Sequence, residues 1–315
     1  MKTINYFKAL SDETRLRILN ILLENELNVN EIVSVLNMGQ PRISRHLKIL
    51  SDGGLLTSRR DGLWIFYKAP ADGDGKKFID SMSGFIRDDD NLESDMGRLK
   101  RILDEREEEK KEYFNKIAPD WDKIKSNIVG DINITAEIET RVNGADVIAD
   151  LGCGTGELLL ALCKNNGAVI GIDRSAKMLD EARLRLPRGS NKVELRLGEM
   201  EHLPMREKEA GGAVINMVLH YLVSPVRGIK EANRVIGKGG SLIIVDFDKH
   251  KKEDMRIKYG HRWLGFSKKE MEGWLGAAGF KLKDVTQFDA KQDLKINLFH
   301  AVKEKAIRSL QKTQI

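Results

Sequence analysis

The residues most able to do chemistry begin with a short run, DLGCGTG, from Asp150 to Gly156. Gly152, Gly154 and Gly156 let the backbone turn tightly and approach a ligand closely, which a side chain would obstruct. Asp173, at the end of the next apolar run, has the spacing of a carboxylate that accepts both hydroxyl protons of a ribose, so loop and acid together read as a nucleoside site. Asp150 stands immediately before the glycines, unlike the dinucleotide GxGxxG fingerprint, and suits a ligand with an ammonium group better than a pyrophosphate. Cys153 and Thr155 complete the loop, and Arg174 follows the ribose acid. Further along, His220, Tyr221, Asp246 and His261 fall near predicted strand ends or in the loop YGHRWLGF, where they could line the pocket of an acceptor substrate beside that site. Spacing alone pairs none of them into a recognisable catalytic unit.

A second concentration lies near the start. In QPRISRHLKILSDGGLL, Gln40 to Leu56, and the residues after it, Arg42, Arg45, Lys48, Arg59 and Arg60 gather with Asp52 as the only acid among them, as on a surface that faces phosphates. Ile43, Leu47 and Leu50 repeat at i, i+4 and i+7, which predicts a helix burying that stripe and turning Arg45 and Lys48 outward. Helices are also predicted within Tyr6–Leu23, split at a Ser11-Asp12 cap, and at Val29–Leu36, with Pro41 suited to a first helical turn. LLTSRR and LWIFYK around Asp61-Gly62 predict a hairpin. The sum is a winged helix-turn-helix over residues 1–70. Gln40, Arg42, Ser44 and Arg45 could reach base edges or position the helix, His46 and Lys48 lie on the same helix, and Arg59 and Arg60 on the wing would reach phosphates or a minor groove.

Residues 71–112 are strongly charged, with Asp88-Asp89-Asp90 and sparse apolar positions including Phe78, Ile79, Met82, Phe85 and Ile86. Leu92, Met96, Leu99 and Leu103 then follow i, i+4, i+7, i+11 spacing, which predicts a long exposed helix for dimerisation and coupling. From residue 113 to 315 candidate strands VIAD, AVIGID, VELRLG, AVINMV and SLIIVDF alternate with helices, predicting an α/β parallel sheet closed by a hairpin of FKLKDVTQF and KINLFHAV. The ligand is then expected beyond the carboxyl ends of the strands.

Composition agrees with two domains. The chain has 315 residues, 41% hydrophobic and 32% charged, exceeding what one core usually organises. A net charge of +5 permits nucleic-acid binding without proving it. No apolar run approaches bilayer length, and the first residues lack the pattern of a secretory signal, so a cytoplasmic location is expected. The two cysteines, Cys153 and Cys163, have no CxxC partner and suggest neither disulfide framework nor structural zinc.

The segment from Lys2 to Tyr67, through ALSDETRLRIL, PRISRHLKIL and GLL before the wing, resembles the ArsR/SmtB winged-helix repressors. The resemblance implies a homodimer on a pseudo-palindromic duplex DNA operator. Members often sense metals through a Cys-Val-Cys pattern on the third helix. This chain has Glu26-Leu27-Asn28-Val29-Asn30 there, and asparagine amides cannot replace thiolates, so the expected inducer is not a metal. From Tyr113 to Val302, YFNKIAPDWDK, DLGCGTG, VIGIDRS, LGEMEHLP, NMVLHYL and EANRVIGKGGSLIIVDF resemble class I S-adenosylmethionine-dependent methyltransferases, which have a Rossmann-like fold. That resemblance implies that Asp150 and the loop hold a methionine moiety and Asp173 the ribose. It places Glu199, where the family usually has aspartate, and Met200 beside adenine, and Asn216 in the loop after the fourth strand of the sheet. The joint expectation is a regulator, as a repressor, whose effector is S-adenosylmethionine or S-adenosylhomocysteine and whose targets are methyl-cycle genes. The alternative is an active small-molecule methyltransferase with an autoregulatory DNA-binding domain.

Overall fold

The computed structural model describes residues 2–86, 90–130, 132–142, 144–187 and 191–304. The chain divides into two units, Met1–Glu109 and Lys110–Ile315. Residues 305–315 of the expected second domain, Asp88 and Asp89 of the acidic run, and the side chains of Phe85, Ile86 and Asp90 lie outside what is described.

In the first unit the order is α1 (Lys2–Leu10), α2 (Glu13–Leu22), β1 (Leu27–Asn28), α3 (Val29–Leu36), α4 (Gln40–Asp52), β2 (Thr57–Asp61), β3 (Trp64–Lys68), α5 (Gly73–Ile86) and α6 (Asp90–Ile117), which continues into the second unit. Asp12 caps α2 by accepting from the Arg15 amide, and Pro41 occupies the first turn of α4. The predicted stripe of Ile43, Leu47 and Leu50 is fully buried against Ile18, Leu19, Leu22, Ile32 and Val35. β2 and β3 pair antiparallel, and β1 extends them through β3. Asn28 caps α3 in a reciprocal box with Glu31, which gives this asparagine a local structural use.

The stripe on α6 behaves differently from expectation. Leu92 and Leu99 are buried in the core of the first unit and Leu103 packs against it, whereas Met96 is 40% exposed. Most of the surface expected to pair with another helix is thus spent within the domain. Asp95, fully buried on the same helix, takes a two-pronged contact from Arg17 at 2.7 and 2.9 Å and a further one from Arg98, which also donates to the Val35 carbonyl that ends α3. Arg106 pairs with Glu31 at the start of α3.

The second unit continues with α7 (Trp121–Val129), α8 (Ile134–Arg141), β4 (Val147–Leu151), α9 (Leu159–Asn165), β5 (Ala168–Asp173), α10 (Ala176–Arg185), β6 (Val193–Leu197), β7 (Ala210–Asn216), α11 (Pro225–Val235), β8 (Ile236–Phe247), α12 (Asp254–Tyr259), α13 (Lys268–Ala277), β9 (Phe280–Asp289) and β10 (Lys295–Lys303). The sheet order is β6-β5-β4-β7-β8-β10-β9. β4 to β8 run parallel, and β10 joins β8 and β9 antiparallel. Order reverses at β4, so its carboxyl end opens at the switch point where doubly wound sheets take ligands. Core residues cover both sheet faces, which explains the near-continuous apolar character of the central strands. Among the described residues no helix is long and apolar enough to cross a membrane.

Candidate functional site

The loop from Asp150 to Gly156 leaves β4 at that switch point. Gly152 and Gly156 have φ of +84° and +76°. A Cβ on Gly152 would lie 2.5 Å from Val218 Cγ2, and one on Gly156 would lie 2.9 Å from the Ala182 Cβ, so both positions exclude side chains by conformation and by space. Asp173 ends β5 alongside, and its two oxygens accept from the amides of Gly154 at 2.9 Å and Ser175 at 2.8 Å. The Arg174 amide also acts on this carboxyl, and of its roughly four acceptor positions at least one is left for a ligand hydroxyl. Burial pushes the Asp173 carboxyl above the ordinary carboxylate range, against the pull of these amides. Asp150 is 2% exposed and burial raises it to about 7. Among the described residues no hydrogen bond is formed to the Asp150 carboxylate, whose backbone is paired within the sheet, and the buried Asn216 Oδ1 at the end of β7 has no partner. A buried carboxylate and a buried amide oxygen, both wanting donors beside a side-chain-free loop, fit a ligand that brings an ammonium group.

The residues expected beside adenine are placed unevenly. Glu199 is exposed after β6, where Gly198 N donates to the Asp173 carbonyl. Met200 is buried in the sheet core, where a Cβ on Gly228 would meet its Cγ at 2.8 Å. Thr155 donates to Asp122 Oδ1 at 2.7 Å, and Cys153 is a buried free thiol raised by desolvation. Arg174 is half-buried.

A set of contacts that residue-by-residue reading did not assign covers this loop. Ser175, the N-cap of α10, donates to Asn115 Oδ1 at 2.6 Å, and Lys125 pairs with Glu157 at 2.7 Å. Phe114 packs edge-on to both Trp121 and Tyr221, with the Trp121 indole beside Gly154. The signal lay in YFNKIAPDWDK, whose resemblance was noted without roles for its residues.

The acceptor-side candidates do form a pair, contrary to the sequence expectation. His220 Nδ1 lies 2.7 Å from Asp246 Oδ1, and the His220 amide donates to Asp246 Oδ2 at 3.3 Å. The two are 26 residues apart, but β7 and β8 are adjacent parallel strands whose carboxyl ends bring them together. The His261 ring stacks 4.2 Å from His220 and the Tyr221 ring 4.1 Å, while Phe247 lies 5.2 Å away. Burial, then the neighbouring His220, His250 and Arg256, hold His261 far below the ordinary histidine range, and burial raises the Tyr221 hydroxyl well above its own.

On α4, Gln40, Arg42, Ser44, Arg45 and Lys48 are exposed. Arg42 also donates to Thr14 at 3.1 Å. His46 is half-buried with Asp12 3.7 Å away, and burial lowers its pKa. On the wing, Arg60 is exposed. Arg59 departs from the expected role: it forks onto Glu26 at 2.9 and 2.6 Å, lies 3.5 Å from the buried Asp61 and covers the Phe66 ring at 4.4 Å. Its guanidinium fastens the wing to the body, because a half-buried cation gains more from a bidentate carboxylate than from water.

Comparison with known proteins gives two independent likenesses. Residues 12–58 match the bacterial regulatory protein arsR family, and residues 149–244 match the methyltransferase domain family. The arsenical resistance operon repressor of Escherichia coli is 47% identical over 66 residues, 21% of this chain and 56% of that protein. An uncharacterized HTH-type transcriptional regulator of Methanocaldococcus jannaschii is 45% identical over 67 residues, 21% of this chain and 75% of that one. A ubiquinone/menaquinone biosynthesis C-methyltransferase of Geobacter sp. is 26% identical over 154 residues, 46% of this chain and 66% of that enzyme. Among solved structures, a chain of the complex between the Haloferax volcanii Trm112 methyltransferase activator and a methyltransferase shares the fold at TM-score 0.52 and 18% identity, covering 61% of this chain and 98% of that one.

Proposed function

Because the chain joins a DNA-binding domain of the arsR family to a class I S-adenosylmethionine-dependent methyltransferase domain, we infer that it is a transcriptional regulator whose DNA affinity is set by S-adenosylmethionine or S-adenosylhomocysteine. The observation that carries this reading is helix α6. It runs unbroken from Asp90 to Ile117. Its first part is clamped to α3 by Arg98 and Arg106, and its last turns carry Phe114 and Asn115, the latter bonded to the α10 cap two residues after the ribose acid. A ligand that repositions the cap acts on the same helix that holds the DNA-reading domain. Its pool reports methyl supply, so the controlled genes are those of the methyl cycle. The protein acts as a repressor and binds a pseudo-palindromic operator as a homodimer, through its N-terminal helices and the part of α6 around Met96 that its own core leaves exposed.

Asp150 and Asn216 would take the ligand's ammonium, the glycine loop its methionine backbone, and Asp173 the ribose hydroxyls. When bound, S-adenosylmethionine supplies an electrophilic methyl group. Arg45 and its neighbours on α4 would contact base edges, and Arg60 the backbone.

The reading is tested by fluorescence anisotropy on DNA from the protein's own promoter at fixed salt, titrating each adenosyl ligand separately. A change of about tenfold, or ~1.4 kcal/mol, with one ligand supports it; equal DNA affinity with and without both ligands refutes it. In the same assay Arg45→Ala is expected to cost ~1–3 kcal/mol and to relax discrimination between operator and scrambled DNA. A uniform loss on both sequences would reassign Arg45 to phosphate.

Ligand binding should also depend on pH. The folded-state value of Asp150, about 7, lies above that of an exposed aspartate, so the unliganded domain loses stability as pH rises through the acid range towards 7. An ammonium ligand needs the ionised form, and its affinity should be roughly tenfold weaker at pH 6 than at pH 8. Calorimetric titration at both values checks this, and Asp150→Asn should flatten the dependence.

A further inference from the structure

A histidine retained only for packing usually satisfies both ring nitrogens when buried. His220 is 1% exposed and satisfies one: Asp246 holds Nδ1, which makes Nδ1 the protonated nitrogen, while Nε2 is buried with no partner. His261, 3% exposed and stacked on it, likewise has a buried Nδ1 without a partner. The loop carrying His261 is pinned to this place, because Arg262 N and Trp263 N both donate to the His220 carbonyl, at 2.9 and 3.0 Å. The cluster sits at the carboxyl edge of the sheet, and Val218, two residues before His220, is the side chain that presses on Gly152 of the ligand loop.

We propose that His220, oriented by Asp246, is the general base of a methyl transfer carried out by this domain, and that the acceptor is an aromatic hydroxyl. The proposal goes beyond ligand control and shares with it only the binding of the adenosyl cofactor. A flat aromatic acceptor matches the rings of Tyr221 and Phe247 against His220, with Phe114 edge-on to Tyr221. In the step, the hydroxyl proton passes to His220 Nε2 and the imidazolium is stabilised by the Asp246 carboxylate. The acceptor oxygen forms its bond to the methyl carbon as the carbon–sulfur bond breaks, and that electron pair stays on sulfur, leaving a neutral thioether. His261 stays neutral beside the imidazolium.

The test uses the full-length protein and catechol as probe. In protein saturated with S-adenosylhomocysteine, catechol should shift the ring resonances of His220 and His261, assigned by their loss in His220→Gln and His261→Asn, and leave His46 unmoved. With S-adenosylmethionine, a methylated catechol should form. His220→Gln should lower kcat by about 100-fold or more without changing cofactor affinity, and Asp246→Asn should lower kcat and move the acid limb of the pH profile. Absence of a His220 shift at saturating catechol, or an equal rate in His220→Gln, overturns the proposal. Should His220→Gln fail to fold, formation of a methylated catechol by the wild-type protein and its loss in Asp246→Asn decide. Failure of wild-type protein to bind either adenosyl ligand would remove both readings at once, whereas binding without response on DNA removes only the regulatory one.

Discussion

Asp173→Ala is expected to weaken binding of S-adenosylhomocysteine by about three orders of magnitude while leaving ligand-free DNA affinity unchanged. The Asp173 carboxylate accepts the Gly154 and Ser175 amides and keeps acceptor capacity that the proposed ribose hydroxyls would use. Hydrogen bonds to an ionised group contribute about 1.5–3 kcal/mol each, so losing two removes ~4 kcal/mol. The substitution also frees the Gly154 amide that shapes the loop. Asp173→Asn keeps one acceptor oxygen and should lose less. Calorimetric titration reads the affinities, and anisotropy on operator DNA should show a protein that still binds but no longer responds to ligand. A loss under tenfold would mean that the ribose lies elsewhere.

Asp95→Ala should be the most damaging single change to the DNA-binding unit, lowering its stability by about 3–5 kcal/mol. Asp95 is fully buried between Arg17 of α2 and Arg98 of α6. Its removal takes from two half-buried guanidiniums the carboxylate they share, and it loosens Arg98 from the end of α3. The double change Asp95→Leu with Arg17→Leu should recover much of the loss, since apolar packing replaces the charge rather than abandoning its partner. Urea denaturation followed by circular dichroism measures both. A shift below ~1 kcal/mol for the single variant would show that water reaches the arginines and that the pair behaves as a surface one.

The helix-turn-helix was legible because its physics is local. The stripe Ile43-Leu47-Leu50 has one solution as a helix, Pro41 one comfortable place in it, and Asp61-Gly62 one common turn. The exposure of Arg45 and Lys48 followed from the same phase. Arg59 did not follow, because its partner Glu26 comes from a distant part of the chain that β1 brings beside β3. The long α6 was likewise predicted as a helix, but periodicity states only that Leu92, Leu99 and Leu103 share a face, not what covers it; the core of its own domain does.

In the second unit, residue type and order determined the parallel sheet, the glycine loop and the acid that ends the next strand, since a strand–turn–helix crossover with φ-positive glycines leaves little choice of geometry. Tertiary structure alone decided the rest. Asp150 is an ordinary aspartate by sequence, and only enclosure at the switch point raises it to about 7. His220 and Asp246 are unrelated by spacing, and only the adjacency of β7 and β8 makes them a dyad. Sequence periodicity encodes which face a residue occupies, whereas burial and pairing depend on which strand becomes the neighbour, a property of the assembled sheet.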